Sequence, residues 1–539
     1  MSISVSKEKL ALVLILLCAA ILRLSWVTWS LPGRFHTATY NCDESTALTA
    51  LQGMNPSKLD FNPVSDKHPC ALSEGTFNIY TYGAVLKALS LVKYTTLTPD
   101  KDFYYSNIGE MAKLFLAGRL LSVFYGLLTV GAVFVLAKKM FGPGAGLLAA
   151  FFTALMPAHV VSSRYIIMNV PGAFWIVLAF IFMKKILDEG RARDYFLAGL
   201  ATGLAAATRL SAAPLALLLP LAHFLGTGPD KSAKKLWLAL AALGLFFFIG
   251  APYTFLDFPN FMKGMQALNN VASAGEGLSF FKNAAFLAGS MNQALGLPLF
   301  LLCLLGLGAA LVRRGKDDLL LLAWIALLFV FFYRAGPFAI PSRILPALPF
   351  MAVLAAAALS RAWRRAPWAG RAALAAVAVH AFFFYGAYFR LLAAPDIRDA
   401  ASEWMTGNIK PGASIGLLRE PSWFTPGLID RKYRHPGHPG LPDYKYVTLP
   451  AGDPASDLGY DRLAELRPDY VIMSDLEAQL LPERGFSAAA AKYGYTEIKS
   501  FEARFTPPGL GPAEKIPEML YTPNKISIYQ RVQDPEKGR

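Results

Sequence analysis

The chain has 539 residues, 55% of them hydrophobic and only 17% charged, with a mean hydropathy of +0.39. So apolar a composition excludes a soluble multidomain enzyme, a disordered scaffold and a coiled coil. The formal charge of +15 first suggests nucleic acid, but residues 1–395 carry 34 Lys and Arg against 17 Asp and Glu, a net of +17, whereas residues 396–539 carry 18 against 20, a net of −2. Basic residues concentrated in the apolar part mark membrane topology rather than a nucleic-acid surface.

A membrane-spanning helix needs about 20 mostly apolar residues. That window predicts spans near 10–31, 114–137, 143–161, 166–186, 195–209, 211–226, 236–254, 292–312, 318–334, 344–361 and 371–392, about eleven in all. The first is expected to be retained, because its apolar run is longer than a signal peptide's and no small-residue cleavage site follows. Short connections alternate in charge. One side holds Lys7 and Lys9, Lys138 and Lys139, Lys184 to Arg193, Lys231 to Lys235, Arg313 to Lys316 and Arg361 to Arg371, while the short opposite loops hold only Arg164, Arg209, Arg334 and Arg343. The positive-inside rule then places the N-terminus in the cytoplasm. An odd number of spans leaves the C-terminal part outside, together with the long segments 32–113 and 255–291.

Residues 76–94 mix aromatic and aliphatic residues with two Lys at helical spacing, and 255–285 alternate Phe and Leu with polar residues. Both patterns predict helices lying along the water–lipid interface, where they can build a site or simply brace the bundle. The tail, 396–539, reads as a soluble α/β domain. An amphipathic helix is expected over DIRDAASEWMTGNIKPG, ended by Pro411-Gly412, with strands at ASIGLL, KYVTL, DYVIMS and ISIYQRV. Pro and Gly crowd 421–455, predicting an irregular loop, and no Gly-rich phosphate motif accompanies the strands. The fold class is therefore a polytopic α-helical membrane protein, 1–395, followed by an extracytoplasmic α/β domain, 396–539.

No Walker motif, G-x-S-x-G, H-E-x-x-H or Cys-x-x-Cys occurs, and the seven His are scattered. Most hydrolase and ATPase chemistries are thereby excluded. Asn41-Cys42-Asp43-Glu44 stands out, because two adjacent carboxylates about ten residues beyond the first span offer a general base and a supporting acceptor. On composition alone the same pair could simply be solvated.

The order of motifs resembles the glycosyltransferase C superfamily, and more closely the bacterial relatives of protein O-mannosyltransferases (glycosyltransferase family 39) and of the lipid A aminoarabinose transferase. Leu22-Arg23-Leu24 precedes Asp43-Glu44. Lys67-His68-Pro69 and Glu74-Gly75-Thr76-Phe77-Asn78-Ile79-Tyr80 lead into the interfacial helix. The stretches 118–142, 147–180 and 198–220 and the run Ser342-Arg343-Ile344-Leu345-Pro346 follow in order. The likeness covers most of 1–395, and the tail matches only loosely. Two departures bear on the exact substrate: Asn169 stands where the family often has an acidic residue, and Lys67-His68-Pro69-Cys70 replaces its Lys-Pro-Pro-Leu.

The resemblance implies transfer of a sugar from a polyprenyl-phosphate donor to an acceptor protein, lipid or glycan, on the outer side of a plasma (inner) membrane. It implies a single inverting displacement with Asp43 as base and Glu44 beside it, and Tyr80 and Tyr82 in the donor and acceptor pocket. Such chemistry needs cations for the released phosphate charge, and the candidates are Lys67, His68, Arg23, Arg119 and Arg343, with snorkelling to headgroups the other reading of Arg23. No cofactor is required by the sequence, metal dependence is open, and no metal-ligand spacing is present. Cys42 and Cys70 share the first outer loop, where thiols tend to pair. A Cys42–Cys70 disulfide is expected, against two unpaired buried thiols. The competing classes are a polytopic transporter or flippase, for which internal repeats are missing, and a non-catalytic assembly protein of envelope glycans.

Overall fold

The computed structural model describes residues 5–64, 71–228, 232–273, 276–417, 424–428, 441–449, 461–478, 490, 493–505 and 522–532. Every run expected to span contains helix, with turns at 25–30 and 344–347. By length and composition Ile108–Phe141, Asn169–Asp188, Ala233–Gly250, Lys316–Phe338 and Pro367–Asn408 can cross a membrane, and Phe280–Leu295 with Leu297–Arg313 makes a pair bent by 117°. The other expected spans form shorter or more charged helices. These are Val5–Leu24, Pro143–Leu155 continued by Pro157–Ser162, Ala192–Thr208, Leu210–Leu217 leading into Leu218–Leu225, and Leu348–Arg365. The interruptions have local causes. Pro157 stops the helix before it, and Pro214 sits inside a 3₁₀ segment, because proline lacks the N–H that an α-helix needs. The chain is a multi-pass membrane protein.

The structure comprises two compact units. The first takes in Met1–Val27, Asp43–Leu97 and Leu116–Tyr385; the second takes in Thr28–Cys42, Thr98–Phe115 and Gly386–Arg539.

In the first unit Ala192–Thr208 and Ala233–Gly250 pack at very short range. A Cβ on Gly199 would lie 2.1 Å from the carbonyl oxygen of Ala239, and one on Gly203 would lie 2.5 Å from that of Leu243. Small residues four apart let two backbones meet where the apolar driving force of water is missing. The expected cytoplasmic connections gather at one end. Lys138 pairs with Glu8, Lys184 lies 2.8 Å from Asp188 and 3.0 Å from Asp317, and Arg313 pairs with Asp318. Arg313 and Arg361 both stand over the Phe141 ring.

The expected interfacial helix appears as Phe77–Leu91. The 255–285 region gives Phe258–Ala272 and the start of Phe280–Leu295. Both carry exposed aromatics, including Phe258, Phe280, Phe281 and Phe286.

The second unit holds a five-stranded sheet: β1 Ser414–Leu417, β2 Lys445–Thr448, β3 Tyr470–Ser474, β4 Tyr495–Glu502 and β5 Lys525–Arg531. Its order is β2-β1-β3-β5-β4, with β2, β1 and β3 parallel and β5 antiparallel to both β3 and β4. The helix Ile397–Asn408 covers one face. Ile397, Ala401 and Met405 recur every four residues on its inner side and, with Ile409 just beyond its end, meet Ile415, Leu417, Ile472, Ile526 and Ile528. Val471, Met473 and Tyr529 point the opposite way into a second cluster with Leu449 and Leu463. The strand β4 was not expected, because its burial runs mostly exposed along an edge and leaves no apolar alternation to read.

Candidate functional site

Asp43 and Glu44 open the helix Cys42–Gly53, whose first turn favours acidic residues through its exposed N–H groups. Consecutive residues on a helix point roughly 100° apart, and here that angle separates two environments. Asp43 is exposed, whereas Glu44 is fully buried. Glu44 accepts two hydrogen bonds from Arg119, Nε at 2.9 Å and Nη2 at 2.7 Å, and a third from the Ile166 N–H at 3.1 Å. Arg119 also donates through Nη1 to the Val27 carbonyl at 2.8 Å and stands over the Tyr165 ring. One buried ion pair therefore ties together residues 27, 44, 119 and 166, with the neighbouring Asp43 exposed.

Glu74 ends the short helix Ala71–Glu74 and is half-buried. The next residue, Gly75, has φ +103°, and a Cβ there would lie 2.4 Å from the Thr208 carbonyl oxygen. Only glycine permits both that conformation and that approach. Thr76 then donates its hydroxyl to the Gly250 carbonyl at 2.8 Å. These contacts dock the start of the interfacial helix on the Thr208–Arg209 junction. Burial pushes the Glu74 carboxyl up to about 7; the nearby charge of Asp43 adds to the rise, while Arg209 and Arg343 oppose it. Two carboxylates and two guanidinium groups thus share one electrostatic neighbourhood.

Arg343 is half-buried, donates to the Phe338 carbonyl at 3.4 Å and stands over that ring. Tyr80 donates its hydroxyl to the Phe61 carbonyl at 3.2 Å, and burial raises it to about 12. Tyr82 is fully buried and lies against Gly118. Lys67, His68, Cys70 and the side chain of Cys42, with the expected disulfide, lie outside the described residues.

Arg23 is fully buried. It donates to the carbonyls of Ala19 at 3.0 Å, Ala154 at 3.2 Å and Thr153 at 3.3 Å, and its Nη2 lies 2.8 Å from His159 Nδ1. The Tyr385 hydroxyl takes the next carbonyl, Leu155, at 3.0 Å. Pro157 leaves these carbonyls without helical partners, and in an apolar medium they must be satisfied internally. Arg23 and Tyr385 satisfy them.

Glu74 and Arg209 were not singled out from sequence. A signal for Arg209 existed, since it is the only Lys or Arg between Arg193 and Lys231 and interrupts two apolar runs. Glu74 heads the motif run 74–80, but nothing in the sequence gave it a role.

Residues 111–254 match the family model described as dolichyl-phosphate-mannose-protein mannosyltransferase. The structure is similar to that of ArnT from Cupriavidus metallidurans bound to undecaprenyl phosphate, with a TM-score of 0.50 at 14% identity over 97% of this chain and 98% of that one. The chain shares the fold of that ArnT structure. A lower similarity is to the Archaeoglobus fulgidus oligosaccharyltransferase in complex with zinc and sulfate (TM-score 0.44, 15% identity, 91% and 72% of the two chains). The Saccharomyces cerevisiae protein O-mannosyltransferase Pmt1–Pmt2 complex bound to the sugar donor follows (TM-score 0.32, 17% identity, 48% and 35%). A comparison with curated proteins gives no match.

Proposed function

We propose that the chain is an inverting membrane glycosyltransferase that moves a sugar from a polyprenyl-phosphate donor to an acceptor hydroxyl on the extracytoplasmic side. The carrying observation is the exposed Asp43, held beside a buried Glu44–Arg119 pair and within electrostatic reach of Glu74, Arg209 and Arg343. The family match and the undecaprenyl phosphate in the structurally similar ArnT support the donor class.

In the proposed step Asp43 accepts the proton of the acceptor hydroxyl as its oxygen bonds to the anomeric carbon. The bond from that carbon to the phosphate oxygen breaks, and the polyprenyl phosphate leaves with the electron pair. A phosphate leaves well, so the cost lies in generating the nucleophile and in meeting the new negative charge. Arg209 and Arg343 suit the second need, because a guanidinium fork matches phosphate geometry. Arg23 and Arg119 already serve backbone carbonyls and Glu44, so Lys67 and His68 are the remaining basic candidates in the same outer loop. Glu44 acts through position rather than chemistry, fixing the helix that carries Asp43. The positive-inside rule supports a cytoplasmic side for the basic connections and an extracytoplasmic one for residues 396–539.

The test is transfer from a radiolabelled polyprenyl-phosphate sugar in proteoliposomes. Asp43→Asn is expected to lose transfer while keeping its melting temperature and donor binding, and unchanged transfer would overturn the assignment.

A further inference from the structure

A second site lies in the unit that holds the sheet. A cavity of about 410 Å³ opens between the end of the helix Pro367–Ala393 and the end of β4, with Trp29, Arg390, Asp396, Glu502, Arg504 and Thr522 on its walls. That volume is within the range of small-molecule sites.

The charges on its walls are unequally available. Asp396 is buried and spent, since its two oxygens accept from Arg398 Nε at 2.8 Å and Nη2 at 2.6 Å, and from the Arg398 N–H at 2.9 Å. Arg504 is 85% exposed and meets Glu502 only at 3.5 Å. Arg390 is exposed, and among the described residues its hydrogen bond is one from Nε to the Gly386 carbonyl of its own helix at 3.3 Å. With Asp396 neutralised, Arg390 and Arg504 face a single carboxylate and leave an excess of positive charge. Both side chains are exposed.

Location selects the ligand. Arg390 falls in the last turn of the helix expected to end the final span, at residues 371–392. Lipid phosphates concentrate at that depth, and Arg and Trp are the side chains that settle there. We propose that this cavity binds a phosphate-bearing anion, clamped between Arg390 and Arg504 beside the Trp29 ring. The clamp fits a phosphodiester headgroup of an anionic membrane lipid or a free phosphate, and an acyl chain would leave along the apolar face of the 367–393 helix. The proposal does not depend on the transferase reading.

The test uses the full chain in a neutral detergent. Retention of phosphatidylglycerol against phosphatidylcholine is counted by native mass spectrometry, and uptake of inorganic phosphate is measured by calorimetry. The proteins compared are the wild type, Arg390→Gln/Arg504→Gln and Arg390→Lys/Arg504→Lys. Loss of a charge-assisted clamp should weaken binding by about tenfold or more, and the Lys pair should keep part of it. A phosphatidylglycerol preference that the Gln pair loses supports the site with a lipid headgroup as ligand. Phosphate uptake that the Gln pair loses, without a lipid preference, supports it with free phosphate. Equal lipid retention and equal phosphate uptake in wild type and the Gln pair overturn the proposal. Arg504→Glu changes only an exposed side chain and should show the same loss, which keeps the test valid if the double variant folds poorly.

Discussion

Arg119 donates both Nε and Nη2 to the carboxylate of Glu44, two residues 75 apart in the chain and both shielded from solvent. The pair is expected to act as a positioning element for Asp43. Removing one partner strands the other as an uncompensated buried charge, which costs about 3–5 kcal/mol. Glu44→Ala and Arg119→Ala should each lower the melting temperature sharply, and Glu44→Leu/Arg119→Met should recover much of the loss. In that double variant transfer should remain impaired, because the helix carrying Asp43 is no longer fixed to residues 27 and 166. Full activity in the stable double variant would show that Asp43 needs no such anchor.

Glu74 makes the site sensitive to pH. Burial, with the charge of Asp43 adding to it, raises its carboxyl from the ordinary 4.5 to about 7. The sign follows directly: Glu74 is protonated below about 7, and above it adds a second negative charge that competes with phosphate for Arg209 and Arg343. Transfer should therefore decline as pH rises through 7, by at most about tenfold per unit for one ionising group. Stability should fall earlier in the rise, from the unfolded value near 4.5 up to about 7, and level off beyond it. Glu74→Gln keeps the site neutral and should flatten the alkaline limb in a pH profile of kcat/KM. A limb that survives unchanged in Glu74→Gln belongs to another group.

Gly75 is expected to resist substitution more than any neighbour in its loop. Its φ of +103° disfavours other residues, and a Cβ would meet the Thr208 carbonyl at 2.4 Å, an atom of backbone that cannot swing aside. Strain and overpacking each cost about 1–3 kcal/mol. Gly75→Ala should lower stability and transfer together, because it displaces the Thr208 backbone and with it the adjacent Arg209. Measuring both the melting temperature and the transfer rate checks this, and an unaffected rate would separate Arg209 from the reaction.

Much of the architecture was legible in the sequence because it follows from periodicity. The apolar runs became helices, the DIRDAASEWMTGN segment became the helix Ile397–Asn408, and four strands appeared where β-branched residues alternate. The edge strand Tyr495–Glu502 escaped, since most of its side chains face solvent and carry no pattern. Site geometry was less legible for a different reason. Glu74 and Arg209 are 135 positions apart and share an electrostatic neighbourhood because Gly75 brings two backbones into contact. Arg23 was readable as an intramembrane charge but not as the partner of carbonyls freed by Pro157. The pairing of Glu44 with Arg119 likewise depends on helix rotation, which no local motif records.

The second unit carries its own acid-sensitive contact. The Tyr40 hydroxyl donates to Asp399 Oδ1 at 2.5 Å, His36 Nε2 lies 3.6 Å from the same oxygen, and the Tyr40 ring lies 3.8 Å from the Arg398 guanidinium. Asp396 completes the charged groups facing this cluster through its ion pair with Arg398. Burial alone would raise Asp399, but hydrogen bonds from His36 and Tyr40 and the charge of Arg398 hold it below its ordinary 3.8. A carboxyl with a depressed folded-state pKa contributes stability above its unfolded value and loses it as pH falls below about 4. Melting temperature should therefore drop between pH 5 and 3 for the wild type. In Asp399→Asn the drop should be shallower, from a start that is lower at neutral pH. Tyr40→Phe removes one of the stabilising hydrogen bonds, so its curve should lie between the two. Parallel curves for wild type and Asp399→Asn across that range would place the acid-sensitive group elsewhere.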